Sequence, residues 1–372
     1  MVSFFWNEPM KTNIKIQSAI IAIVALITSA QAQFTPGDLV VLQVGNGGTL
    51  SSAAAPLFLD QFTSTTAGQT VTPFITIPSD GSGLVLSGSA SSEGSLTRST
   101  DGSILTFGGY SAASGTASIA SGTAPREVGV VGASGQFSIV ANSSSALSGN
   151  NIRGVVSDGQ NYWIGSANGV YYQASGSSSL IQVTNSNTRV VNIFNGNLEY
   201  STGSGANHAV LAYTGAPTSL TAPSLFIGSG NTASPYDFFI NGTTAYVADD
   251  TAGASGGIQR WDFNGSAWVL SYTISTGVAN IGARQLTVDT TTPGGATIFA
   301  TTAESSANRL ISVQDLGSTS ADATTLATLA TAPTGDLFRG VAFAPIPEPA
   351  TFALAGMGLT ALWGFTRRNR KS

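Results

Sequence analysis

The chain has no cysteine. That excludes a disulfide scaffold, a thiolate metal site and a cysteine nucleophile, so an exported form must be held by its core alone. A single histidine, His208, rules out a histidine-rich metal site and leaves a Ser-His-Asp triad one candidate base. The lysines are Lys11, Lys15 and Lys371, so no residue from 16 to 370 can act as a Walker or Schiff-base lysine. Charged residues make up only 9% of the 372 positions, against about 25% in an ordinary soluble domain.

Hydrophobic residues at 42% argue against charge-driven disorder, and 44 glycines point to many turns and short strands. Between Gln33 and Ile346 eight arginines face 17 acids, a net charge of −9. Positive charge gathers instead at the two ends. The bulk therefore offers no basic surface for a phosphate backbone, and nucleic-acid binding is not expected.

Both ends read as processing segments. From Met10, a natural start followed by a lysine, come a basic stretch with Lys11 and Lys15, an apolar run from Ser18 to Ile27, and the small-x-small site Ala30-Gln31-Ala32 before Gln33. This is the pattern of a secretory signal peptide over residues 1–32, cleaved after Ala32. The apolar run is shorter than the ~20 residues that span a bilayer, which argues against an uncleaved anchor.

At the other end Pro347-Glu348-Pro349 precedes an apolar stretch from Thr351 to Thr366 and then Arg367, Arg368, Arg370 and Lys371. Such a stretch makes about 24 Å of helix, enough for a short transmembrane span, with the basic tail as a cytoplasmic membrane stop. The order of tripeptide, helix and arginine cluster over residues 345–372 resembles the PEP-CTERM sorting signal. The resemblance implies recognition by an exosortase, a membrane cysteine transpeptidase, in a Gram-negative bacterium that makes exopolysaccharide. It implies transient anchoring in the inner membrane, then passage to the cell surface or extracellular matrix. Signal peptidase and exosortase are the expected processing partners, and exopolysaccharide is a further candidate partner.

Residues 33–344 show little helical periodicity. Short runs rich in Val, Ile, Thr, Phe and Tyr alternate with Gly, Asn, Asp and Ser turns, which predicts an all-β domain of antiparallel strands. A strand-turn-strand phrase recurs from Arg98, Arg126, Arg153, Arg189, Asp237, Arg284 and Arg339, at spacings of 28, 27, 36, 48, 47 and 55 residues. The later spacings approach the roughly 40–50 residues of a four-stranded blade. A β-propeller of about seven blades is predicted, or six if the short early spacings are two hairpins of one blade. A pair of β-sandwiches or a solenoid is the alternative, though a solenoid needs a shorter, more regular period. Ring closure should bring the strand near Leu39–Val44 beside RGVAFA at Arg339. The arginines that head the phrases are predicted to point into the central channel or, preferably, to bond neighbouring backbone carbonyls. Phrases such as NNIRGVVSDG, NTRVVNIFNG, TAYVADD and FRGVAFAP are similar to those of uncharacterised secreted bacterial proteins, which imply no catalytic residue.

The body holds few chemical motifs. Gly253-Ala254-Ser255-Gly256-Gly257 fits the nucleophile-elbow pattern, but lacks the strand-turn-helix that an elbow requires. His208, in GSGANHAV, has no acid beside it and is predicted to be exposed in a hairpin loop. Asp249, Asp250 and Asp262 lie near glycine-rich turns where calcium would find oxygen ligands, but no spaced D-x-D-x-D-G loop exists, and solvated turn carboxylates fit better. Tyr162, Trp163, Tyr171, Tyr172, Trp261, Trp268 and Tyr272 would stack on sugar rings if they shared a groove; filling a core is the commoner use. No catalytic, cofactor or metal residue is assigned. The sequence thus points to a non-enzymatic surface or matrix protein with a structural or binding role. The alternative is an extracellular hydrolase or lyase acting on polysaccharide, which needs paired acids in the channel.

Overall fold

The computed structural model describes residues 33–347, apart from 144–145, 205–206 and 292–294. The proposed cleavage residues Ala30 and Ala32, and Glu348, Pro349 and the basic tail beyond them, lie outside the described residues; Gln33 and Pro347 lie within.

Six four-stranded antiparallel sheets account for nearly all of the regular structure, with a small pair (Ala54–Ala55 and Leu86–Ser87) beside them. Among the described residues helix is confined to one short turn of α-helix, Thr319–Asp322, and one of 3₁₀, Ile119–Ser121. The sheets are the blades of a propeller. Their inner strands are Leu337–Phe343 in blade 1, Thr97–Arg98 in blade 2, Ile152–Ser157 in blade 3, Val191–Phe194 in blade 4, Pro235–Asn241 in blade 5 and Ala283–Asp289 in blade 6. The propeller therefore has six blades. The phrase at Arg126 is the second hairpin of blade 2, which explains the short early spacings.

The last strand closes the ring. Leu337–Phe343 is the innermost strand of the sheet that contains the first strand, Leu39–Val44, in register Leu39 with Phe343 and Val44 with Leu337. Leu39–Val44 reads LVVLQV and is buried at every position. A near-continuous apolar run, broken here only by Gln43, which bonds Asp336, is what a strand needs when both faces of its sheet are covered. Outer strands are the opposite: in Trp268–Ile274 only the last residue is buried, and Val269, Leu270 and Ser271 are exposed.

The core is correspondingly a ring of inter-blade layers. Leu39, Val41 and Phe338 of blade 1 pack on Phe299 and Leu310 of blade 6. Val156 and Trp163 of blade 3 meet Val191 and Leu198 of blade 4. The aromatic residues considered for sugar stacking mostly belong to these layers: Tyr162, Trp163, Tyr171 and Trp261 are buried, and the Trp163 and Tyr172 rings pack 5.3 Å apart.

Glycine allows inner strands to approach. Gly154 and Gly340 each follow an arginine at the start of an inner strand. A Cβ at Gly154 would stand 3.1 Å from Val190 Cα and Val191 N, and one at Gly340 would collide with the backbone nitrogen of Leu96 in blade 2. Gly340→Ala is expected to cost about 3 kcal/mol or more, as an unrelievable backbone clash does. Gly132→Ala, where a Cβ meets nothing, should be neutral or slightly stabilising. Denaturant melts of the two variants check this; equal stabilities would contradict it.

Several carboxyls are buried in this layered core. Burial first, and then Asp336, pushes Asp60 up to about 7. Burial pushes Glu199 up to about 8 and Asp237 up to about 7, against the pull of backbone hydrogen bonds. A raised folded-state pKa means the folded chain holds the proton more tightly than the unfolded chain, whose carboxyls titrate near 4. The stability these groups contribute is complete below about pH 4 and is lost as pH rises through 7 to 8. Asp262 and Asp315, whose pKa values are lowered, stay ionised at pH 5. The melting temperature is thus expected to be higher at pH 5 than at pH 8.5, with Glu199→Gln narrowing the gap. A melting temperature that is flat or rises over that interval would contradict the assignment.

Candidate functional site

The six inner strands run in one direction around a central channel, and their starting ends carry its most polar ring. In four blades the inner strand shifts register against its neighbour at that point, between Ile152 and Val155, Pro235 and Phe238, Ala283 and Gln285, and opposite Val41 and Gln43 in blade 1. These bulges span Arg153, Tyr236, Arg284 and Arg339. A bulge inserts a residue and re-aims its side chain away from the regular alternation. Arg189, just before the inner strand of blade 4, and Glu93, on the lead into blade 2, complete one polar residue per blade.

Neighbours in this ring touch or feel one another all the way round. The Arg189 guanidinium lies 4.2 Å from the Tyr236 ring centroid and that of Arg284 lies 6.0 Å from it, so the tyrosine sits between two cations. Burial lowers the Arg153 pKa and Arg189 lowers it further, while Glu93 opposes them. Burial takes Arg339 down to about 10, helped by Arg284 and opposed by Glu93. Glu93 accepts from Tyr110 Oη at 2.5 Å, Asn151 Nδ2 at 2.6 Å and the Ser87 amide at 2.9 Å. Burial raises its pKa and these donors oppose the rise.

Hydrogen bonds fasten each arginine to a neighbouring segment. Arg153 Nη1 donates to Asn187 Oδ1 at 2.5 Å and Thr188 O at 2.8 Å, Arg189 Nη1 to Ser234 Oγ at 2.8 Å and Pro235 O at 3.0 Å, and Arg339 Nη2 to Gly88 O at 2.9 Å. Arg284 Nε pairs with Asp250 Oδ2 at 3.1 Å. The preferred reading, blade-to-blade bonding to backbone carbonyls, holds for Arg153, Arg189 and Arg339. Arg126 also bonds backbone carbonyls, but it heads the third strand of blade 2 rather than an inner one. Only 1% exposed, Arg126 donates to carbonyls of Ala120, Gly122, Ala124 and Asn150. Arg98 differs too: it lies at the finishing end of the channel, with Nη1 on Ala344 O at 3.2 Å.

Below the ring the channel widens into a cavity of about 260 Å³ lined by all six inner strands. Its polar lining includes Arg98, Ser99, Thr100, Thr287, Asp237 and Asn192, with Asn192 Nδ2 donating to Asp237 Oδ1 at 3.0 Å. Asp237 also accepts from the amides of Phe238 and Leu286. Phe194, Phe239, Val288 and Phe343 make up much of the remaining wall. Among the described lining residues Asp237 is the one carboxylate.

The other sequence candidates do not converge here. Ser255 lies in an exposed turn followed by strand Gly257–Phe263, so the nucleophile-elbow geometry is absent. His208 corrects the expectation of an exposed loop residue: it is a half-buried strand residue whose Nδ1 is bonded to Ala233 O. Asp249 is fully buried rather than solvated. It accepts from the Ser234 and Thr251 amides and Gln259 Nε2. Asp250 pairs with Arg284 and Asp262 with Arg260. Among the described residues no group of three or more His, Cys, Asp or Glu could hold a metal ion. Glu93 and Tyr236 were missed in the sequence, because neither carries the arginine that marks the other ring positions; alignment of each blade's inner strand would have found Tyr236.

Residues 345–371 match the PEP-CTERM protein-sorting motif. Comparison with curated proteins returns no match. Among solved structures, a chain of the nidogen–laminin complex superposes with a TM-score of 0.51 at 11% identity, covering 82% of this chain and 98% of that one. A gluconolactonase from Xanthomonas campestris gives 0.43 at 12% identity over 84% of this chain and 91% of that one. The first likeness bears on the fold alone, and the second carries no argument. The protein is a six-bladed β-propeller that carries a PEP-CTERM protein-sorting motif at its C-terminal end.

Proposed function

We propose that this propeller is an exported protein, anchored briefly in the inner membrane and cut by an exosortase, which then serves in a binding or structural role at the cell surface or in the extracellular matrix. The observation that carries the reading is the sorting motif over residues 345–371. The signal-peptide pattern at residues 1–32 supports it, and so does the way the chain leaves the propeller. Ala344 is buried, Arg98 holds its carbonyl, and the Ile346 amide donates to Gly102 O at 2.9 Å. The sorting segment therefore departs from the finishing end of the inner strands. The arginine ring opens at the other end, about 20 Å away for a strand of six or seven residues.

The chemistry of the tail fits its task. Pro345, Pro347 and Pro349 cannot donate backbone hydrogen bonds and disfavour helix in the residues before them, which suits a tripeptide that a membrane transpeptidase has to recognise. Arg or Lys at a helix centre costs about +2.5 to +3.5 kcal/mol on insertion scales, so Arg367, Arg368, Arg370 and Lys371 halt translocation. Glu348→Ala, or deletion of residues 367–371, is expected to leave uncleaved precursor in the membrane fraction. Mass spectrometry of the wild-type secreted protein is expected to end near residues 347–349. A secreted form that retains residues 351–372 would overturn the proposal.

A further inference from the structure

We propose that the ring of Arg153, Arg189, Arg284 and Arg339 at the starting end of the channel is a binding site for a compact oxyanion, a carboxylate or a phosphoryl group. It rests on the binding role proposed above and names the ligand class. Four guanidinium groups converge there, although residues 33–346 hold only eight arginines and carry a net charge of −9. The nearby acids are Glu93, Asp250 and Asp249, the last of which accepts from the Ser234 amide beside Arg189, which leaves an excess of one positive charge. Arg153, Arg189 and Arg339 hydrogen-bond only to neutral oxygens: Asn187, Thr188, Ser234, Pro235 and Gly88. Adjacent like charges in a half-buried site are unfavourable unless something offsets them.

A second observation points to a ligand. Arg339 is 4% exposed, and its Nη1 has no hydrogen-bond partner; Arg153 Nε is likewise buried and unpaired. A buried unsatisfied donor costs about 1–3 kcal/mol, and more when charged. Side-chain packing fixes where these donors lie. Arg339 packs on Gly94, where a Cβ would stand 2.8 Å from its own, and Arg189 packs on Gly203, where a Cβ would stand 2.5 Å from its guanidinium carbon. Tyr236 fills the gap between Arg189 and Arg284. Donors pinned in this way lose little entropy on binding, and guanidinium forks match the paired oxygens of carboxylate and phosphate. Three of the four arginines, Arg153, Arg189 and Arg284, remain half-buried rather than sealed.

The test is calorimetric titration of the purified full-length protein, at low salt, with sodium glucuronate, with inorganic phosphate and with neutral glucose. One anion per chain is expected, with affinity that falls as sodium chloride is added and with no heat from glucose. Preference for glucuronate assigns the site to a carboxylate, and preference for phosphate to a phosphoryl group. Arg153→Gln and Arg189→Gln should each weaken binding by about tenfold or more, the worth of a charge-assisted hydrogen bond. Arg309→Gln, far from the ring and paired with Glu304, should leave it unchanged. Melting curves confirm that each variant folds. Absence of anion binding by the wild type, or equal binding by folded Arg153→Gln and Arg189→Gln, would overturn the inference. Correct C-terminal processing of the protein expressed in an exosortase-bearing host, read separately by mass spectrometry, would leave the export reading standing.

Discussion

The rest of the structure depends on a covering requirement. Each four-stranded sheet is apolar on both faces near its inner edge and is stable there only when a neighbour lies against each side. Five blades can cover one another in sequence; the sixth requires the chain to return. Pairing Leu337–Phe343 with Leu39–Val44 satisfies it, because one sheet then contains both ends of the body. The pairing also places Phe338, Val341 and Phe62 against Phe299 and Leu310, so the last interface is apolar like the others. Asn308 reinforces it, accepting from the Phe338 amide at 2.7 Å and donating to the Phe338 carbonyl at 2.8 Å.

Closure also decides where polar residues can go. With both faces of the sheets buried, the ends of the inner strands are where a charge can reach water without crossing a core. Bulges at those ends fall at Arg153, Tyr236, Arg284 and Arg339, while the residues that follow resume the ladder. A glycine after Arg153 and after Arg339 lets the neighbouring inner strand come close. The phrase Arg-Gly-Val, seen at both places, is thus a packing rule as well as a ring position. Blades 5 and 6 add a second polar tie nearer the outside, where Arg260, Tyr246 and Tyr272 all bond Asp315. Burial opposes ionisation of Asp315, but the hydroxyl, amide and guanidinium contacts prevail and its pKa falls.

Much of this was legible in the sequence. Valine- and isoleucine-rich runs divided by glycine turns gave all-β structure, and the arginine-headed phrases marked four inner strands correctly. Blade number was less legible because the Arg126 phrase imitates an inner strand: the arginine there is buried under loop carbonyls, and composition does not separate that use from a channel position. Blade 2 conceals its own inner strand, which is only Thr97–Arg98 and is preceded by the irregular segment that delivers Glu93. The partners of Asp249 were equally hidden, since Ser234 and Gln259 are brought to it by strand pairing and not by spacing. The sorting motif was the reverse case. Its meaning lies in linear order, and the match over residues 345–371 agrees with that order.

The central claim is that the pairing of the last strand with the first makes six blades one cooperative unit. Amide hydrogen exchange followed by mass spectrometry tests it most directly, because it separates local opening from global unfolding. Peptides that cover residues 39–44 and 337–343 are expected to exchange together, at the rate of the most protected inner strands, including Ile152–Ser157 and Ala283–Asp289. Rapid exchange of residues 337–343 while the other inner strands stay protected would show that the ring opens at its closing sheet, and would contradict the claim.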